Sequence, residues 1–162
     1  MTLLRSFAAR ITGHCIRLFA RAITAVRADW QGIAPIPRQR VYYSNHTSNA
    51  DMPMIWSVLP AALRRDVRPV AAADYWLKTK LRAFIGPEVF NCVLIDRRPE
   101  VNDKPMDKIL AALDDGSSLI IFPEGNRNMG ADDLLPFKAG LYNMGLARPG
   151  AHLGRKPEHH HA

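Results

Sequence analysis

The sequence predicts an α/β fold, a largely parallel central sheet flanked by helices, preceded by an N-terminal amphipathic helical arm. Three observations predict it. Four short apolar runs, Val41 to Tyr43, Val67 to Ala73, Cys92 to Ile95 and Ser118 to Phe122, have the length and character of buried strands. Stretches with helical signals separate them, and strands that alternate with helices build a parallel sheet. Three polar clusters each fall just past the end of a strand, where open α/β sheets bind their ligands.

With 162 residues and 48% hydrophobic content, the chain has the makeup of one globular domain with a sizeable core. Cys15 and Cys92 match no metal or redox spacing and read as packing residues in a reducing compartment. No stretch of about eighteen uncharged apolar residues exists to span a bilayer. Arg5, Arg10 and Arg17 interrupt any secretory h-region.

Leu4, Phe7, Ala8, Ile11, Cys15, Leu18, Phe19, Ala22 and Val26 share one face of a helix, with Arg10, Arg17 and Arg21 on the opposite flank. This is the pattern of an interfacial membrane helix, which is favoured over a helix packing the same stripe on the core. Gly13 weakens its middle enough to allow two shorter helices. The net charge of +7 is concentrated here, since residues 1–40 hold seven arginines against the single acid Asp29. Such a charge suits an anionic membrane surface or nucleic acid. The continuous apolar stripe, with no aromatic stacking platform, disfavours nucleic acid.

Asp29 to Pro37 is a turn-rich connector to the first strand. Met52 to Leu63 reads as a helix, and so does Tyr75 to Phe84, which carries Lys78, Lys80 and Arg82 and is broken by Gly86-Pro87. Met106 to Leu113 is a third, stopped at Asp115-Gly116. No lysine-bearing Gly-rich phosphate loop supports nucleotide hydrolysis, and no G-x-S-x-G context supports a nucleophile elbow.

The chemistry concentrates in Asn45-His46-Thr47-Ser48-Asn49-Ala50-Asp51, the turn between the first strand and its helix. On one continuous helix His46 and Asp51 would point about 140° apart. With His46 in the turn and Asp51 in the first helical turn, the carboxylate reaches back to one imidazole nitrogen and leaves the other free to take a proton. The same residues also fit a capping box, Ser48 capping the helix and Asp51 answering three residues later. Both readings stand at this point.

The heptapeptide resembles the NHxSxxD first block of the glycerolipid acyltransferases, the lysophosphatidic acid acyltransferase superfamily. Val93-Leu94-Ile95-Asp96-Arg97 resembles their second block and Phe122-Pro123-Glu124-Gly125-Asn126-Arg127 their third, in the same order, across roughly residues 30 to 147. The resemblance implies acyl transfer from acyl-CoA or acyl carrier protein to the free hydroxyl of a lysophospholipid or glycerol phosphate. His46 would be the general base and Asp51 the residue that holds its imidazole. An unperturbed histidine titrates near pH ~6.5, so a neutral base is available at physiological pH.

Asn45 and Ser48 belong to the same block as substrate-binding positions. By the resemblance Arg97 and Arg127 lie near the acceptor phosphate, which guanidinium groups bind in bidentate fashion. Glu124 lies near the glycerol portion, Gly125 lets backbone approach the ligand, and Lys138 matches a basic position after the third block. No metal or cofactor is implied beyond the acyl donor. Asn126 stands where the family has Thr, and Asn91 and Leu94 where it has Gly and Phe, which bears on acceptor identity.

The family's fourth block, an apolar strand with a Val-Pro pair, has no counterpart. The expected organisation is therefore an arm over residues 1–28, an acyltransferase domain over 29–147 that lacks the C-terminal part of its fold, and a polar, disordered tail over 148–162. His159-His160-His161 in that tail read as disordered or appended residues rather than a metal site. The expected location is peripheral, at the cytoplasmic face of a membrane. The alternative is an inactive protein of the same fold that binds a membrane surface or an acidic partner.

Overall fold

The apolar runs form one sheet of four parallel strands, β1 (Val41–Tyr43), β2 (Val67–Ala72), β3 (Val93–Ile95) and β4 (Ser118–Ile121), in spatial order β1-β4-β2-β3. The computed structural model describes residues 2–96, 104–130 and 134–147. Between and around the strands lie α1 (Leu3–Thr24), α2 (Asp51–Val58), α3 (Ala61–Arg64), α4 (Ala73–Trp76), α5 (Lys80–Phe84), α6 (Pro105–Asp114) and α7 (Gly140–Ala147).

Strand β4 is buried along its whole length, as a parallel strand covered on both faces must be. Its alternating side chains feed two cores. Leu119 and Ile121 pack with Val41, Val93 and Met144 beside Ile109 and Leu113 of α6. Ile120 packs on the other face with Met52, Trp56, Leu63, Val67 and Phe90. Each such aliphatic side chain contributes about 1.5–3 kcal/mol relative to exposure.

Pro69 occupies β2 although proline gives a sheet no N–H donor. It is tolerated because β2 pairs with β4 over Val67 to Pro69 and with β3 over Val70 to Ala72, so the missing donor falls where pairing passes from one neighbour to the other.

Three expectations are corrected. The helix expected over Met52 to Leu63 is two, because Pro60 has no N–H for the ladder and holds Leu59 extended, at ψ 136°. The helix expected over Tyr75 to Phe84 is also two. Thr79, extended at φ −135°, caps the second by accepting the Arg82 N–H at 3.3 Å. Gly86-Pro87 does not end that second helix. A π-helical turn, Ile85–Val89, continues it, closed by Phe90 N–H to Ile85 C=O at 3.0 Å.

The arm is one unbroken helix, and Gly13 is where it docks rather than where it breaks. A Cβ on Gly13 would sit 3.2 Å from Val89 and 3.3 Å from Trp56, so the missing side chain lets α1 lie close on α2 and the π-turn. Ala9 and Gly13 are buried in this contact, with Ile16 half-buried beside them. The apolar stripe faces the other way: Leu4 is 78% exposed, Phe7 61% and Phe19 68%. Cys15 is exposed in that stripe, so it is not a packing residue, whereas Cys92 is buried and its thiol is pushed up to about 12 by burial. The basic arm also loses two charges to structure. Arg5 pairs with Glu88, and Arg40 is buried at the start of β1 with its guanidinium on the Ala34 carbonyl.

Replacing Gly13 by valine should therefore cost about 1–3 kcal/mol by forcing α1 away from Trp56. A melting curve checks it, and an unchanged midpoint would mean that α1 does not dock through this face.

Candidate active site

β1 and β4 are neighbours and parallel, so the chain leaves both from the same end of the sheet. Ser44 N–H still bonds the Ile121 carbonyl at 3.3 Å, and then the two loops run side by side. The loop after β4 grips His46 by its backbone. His46 N–H donates to Glu124 Oε1 at 3.2 Å, and Asn128 N–H donates to the His46 carbonyl at 2.6 Å. Its ring stacks on Phe122, with centroids 4.3 Å apart and planes at 24°.

Asp51, the first residue of α2, holds the edge of that ring. Its Oδ2 lies 3.0 Å from His46 Nδ1 and accepts the backbone N–H groups of Thr47 and Ser48 at 2.7 Å each. An ionised carboxylate only accepts, so Nδ1 carries the proton and Nε2 is left with its lone pair. The imidazole is 21% exposed, which leaves a way in for a reacting group.

The capping features and the dyad share this one carboxylate. Ser48 Oγ accepts the Ala50 N–H at 3.1 Å, and Asp51 reaches back to the Ser48 N–H. The hydroxyl does not cap Asp51 itself, whose N–H goes to the Ser48 carbonyl at 3.2 Å. Asn45 is exposed, with its Oδ1 accepting from the Ser44 hydroxyl at 3.2 Å.

Glu124 is 3% exposed, and while Oε1 holds His46, Oε2 is buried with no hydrogen-bond partner among the described residues. A buried carboxylate oxygen without a donor is costly, and a ligand hydroxyl would satisfy it. Gly125 follows at φ 72°, in the left-handed region that glycine tolerates. A Cβ there would lie 2.8 Å from Lys138 Nζ, so the lysine crosses directly over the turn, anchored by Lys138 N–H to the Pro123 carbonyl at 2.9 Å. Arg127 is exposed, two residues further on, and its guanidinium has no partner among the described residues.

Of the residues singled out in the sequence, His46, Asp51, Glu124, Gly125 and Lys138 thus come together at the carboxyl edge of β1 and β4. Arg97 lies outside the described residues, as does the histidine run at 159–161. Asp96, before Arg97, follows β3, which β4 and β2 separate from β1. The stacking role of Phe122 and the clamp by Asn128 were not anticipated. A cavity of about 250 Å³ opens beside the dyad, between Asp51, Thr47 and an apolar wall of Val26, Met54, Ile55 and Val58. Among the described residues no group of three or more His, Cys, Asp or Glu side chains could hold a metal ion.

A family model described as Acyltransferase matches residues 27–149. The chain belongs to the acyltransferase family. The matched range agrees with the span of the three motif blocks, and with it the glycerolipid acyltransferase superfamily read from them.

Two known proteins resemble this chain. The "Taffazin" of Dictyostelium discoideum is 32% identical over 109 residues, covering 65% of this chain and 38% of that protein. The crystal structure of the 1-acyl-sn-glycerophosphate (LPA) acyltransferase PlsC from Thermotoga maritima superposes with a TM-score of 0.62 over 90% of this chain and 60% of that one. At 21% identity the second likeness shows the fold, a parallel sheet with flanking helices and an N-terminal helix. The chain thus spans less than two thirds of either protein, 38% of the first and 60% of the second.

Proposed function

We propose that this chain transfers an acyl group from a thioester, acyl-CoA or acyl carrier protein, to the hydroxyl of a lysophospholipid or glycerol phosphate, with His46 as general base. The observation that carries this reading is the Asp51 carboxylate on His46 Nδ1, which leaves Nε2 as the proton acceptor. Nε2 takes the acceptor's hydroxyl proton as its oxygen attacks the thioester carbonyl. The tetrahedral intermediate then expels the thiolate, which receives that proton back from the imidazolium as a thiol. No acyl-enzyme is needed, and Asp51 stabilises the imidazolium between the two proton transfers.

Glu124 Oε2 is the acceptor-side partner, taking a hydrogen bond from a glycerol hydroxyl. Arg127 and Lys138 supply positive charge for the phosphate, and the small apolar cavity beside Asp51 takes part of an acyl chain. The test is turnover of an acyl thioester with a lysophospholipid, followed by release of free thiol. Arg127→Lys should weaken a phosphate-bearing acceptor although the charge is kept, because the planar fork is lost. An equal loss with an acceptor lacking phosphate would assign Arg127 a structural role.

The exposed apolar stripe of α1 supports peripheral binding at an anionic membrane surface, where such substrates reside. No helix among the described residues is long and apolar enough to cross a membrane. Phe7→Ser/Phe19→Ser should cut vesicle binding about 10²-fold or more, because each aromatic buried in the interface contributes roughly 1.5–3 kcal/mol. Both side chains are exposed, so the melting temperature should stay. Unchanged co-sedimentation with vesicles would remove α1 from the membrane contact. Vesicle binding together with no His46-dependent turnover would favour the alternative, an inactive surface-binding protein.

A further inference from the structure

A second cavity lies away from His46, at the amino ends of β2 and β3. It measures about 460 Å³, is open to solvent and is lined by α1, α3, the start of β2 and the residues just before β3. Four arginines line it, Arg10 and Arg17 from α1 and Arg64 and Arg65 from α3 and its end, with His14 beside them. The only acid on its wall is Glu88, whose Oε1 is already paired with Arg5. The arginines come from segments about fifty residues apart in sequence, and only the docking of α1 brings them to one space.

We propose that this cavity is a phosphate-binding site separate from the acyl-transfer centre, the phosphate being carried by an anionic lipid headgroup or by a soluble phosphomonoester. The chemistry is that of four guanidinium groups gathered around a single acid, Glu88, which is paired with a fifth arginine, Arg5. The side chains of Arg10 and Arg65 have no hydrogen-bond or ion-pair partner among the described residues. Arg17 has only the His14 ring within reach among the described residues, its Nη2 lying 3.4 Å from Nδ1. Arg64 is fixed in place, donating to the Leu59 carbonyl at 2.7 Å and lying 5.1 Å over the Trp56 ring. Its pKa is lowered by burial and then by Arg17 and Arg21, so crowding the cations costs free energy that a bound anion would return.

Guanidinium groups converging from two helices match the several oxygens of a phosphate, which accept bidentate pairs. The cavity also borders the basic flank of α1, whose apolar stripe is exposed. The site does not depend on the acyl-transfer reading, because it shares no lining residue with the cavity beside His46 and Asp51.

The test uses the full chain with two probes, radiolabelled inorganic phosphate in equilibrium dialysis and phosphatidylcholine vesicles with or without phosphatidic acid. Arg10→Gln/Arg65→Gln should weaken at least one probe by about tenfold or more, as expected for the loss of charge-assisted pairs. Arg27→Gln/Arg38→Gln, which removes the same charge from exposed positions outside the cavity, should leave binding nearly unchanged. Loss with inorganic phosphate identifies a soluble phosphomonoester as sufficient, and loss confined to phosphatidic acid vesicles identifies the headgroup. Equal losses in the two double variants would reduce the effect to net charge and overturn the site. Phosphate binding unaffected by Arg10→Gln/Arg65→Gln, or no binding of either probe, would overturn it as well.

Discussion

Replacing His46 by alanine should lower thioester turnover by about 10²- to 10⁴-fold, the usual contribution of a general base, while the fold is retained. The two effects separate because His46 is held chiefly through its backbone. Its N–H on Glu124 and its carbonyl on Asn128 survive the substitution. What stability is lost comes from the stack on Phe122, about 0.5–1.5 kcal/mol. A large fall in melting temperature beside the loss of rate would mean instead that the ring is a packing element.

Glu124 should show the next largest effect, and two substitutions divide its roles. Glu124→Ala removes the acceptor of the His46 N–H and leaves that donor buried and unpaired, at about 1–3 kcal/mol and a fall of several degrees in melting temperature. It should also cost about 10²-fold in rate, since misplacing a reacting group by roughly 1 Å has that consequence. Glu124→Gln keeps an oxygen for the His46 N–H and should melt within about 1 kcal/mol of wild type. Its rate should still fall, because a neutral amide replaces the ionised oxygen offered to the acceptor hydroxyl. Wild-type turnover in Glu124→Gln would show that Glu124 serves only to hold the loop.

Much of the fold is legible locally. Strands such as Ser118 to Ile121 announce themselves as short apolar runs between turn residues, and they pair as a parallel sheet because helices lie between them. The misread helices fail for local reasons given too little weight, Pro60 inside an apolar run and Gly86-Pro87 taken for a stop. α7 was not foreseen, since Gly140-Leu141-Tyr142-Asn143-Met144-Gly145 is poor in helix formers. It exists because Met144, 1% exposed, packs into the core. The α1 stripe reads in favour of a membrane over a core by only a small margin, because an amphipathic pattern suits both. The small residues Ala9 and Gly13 on the opposite face are the signal that it docks with its less apolar side.

At the site, the His46 and Asp51 spacing could be read from one loop. The grip of Asn128 on His46 could not, because it depends on β4 inserting next to β1 across 78 residues, and strand order is not written in any local pattern. Phe122 was visible as an aromatic at the end of a strand. Nothing short of that strand order says that it stacks on an imidazole.

Asp51 decides between a dyad and a helix start, since its Oδ2 serves both. As a cap alone it is nearly replaceable by asparagine, with the lost dipole interaction costing about 0.3–1 kcal/mol of stability. As the partner of His46 it is not, because an amide cannot stabilise the imidazolium as a carboxylate does. The deciding measurement is thioester turnover, beside a melting curve, for wild type, His46→Ala, Asp51→Asn and the double variant. A proton-transfer unit predicts a rate loss in both single variants and a double variant no slower than His46→Ala alone. Full turnover in His46→Ala, or losses that multiply in the double variant, would contradict it.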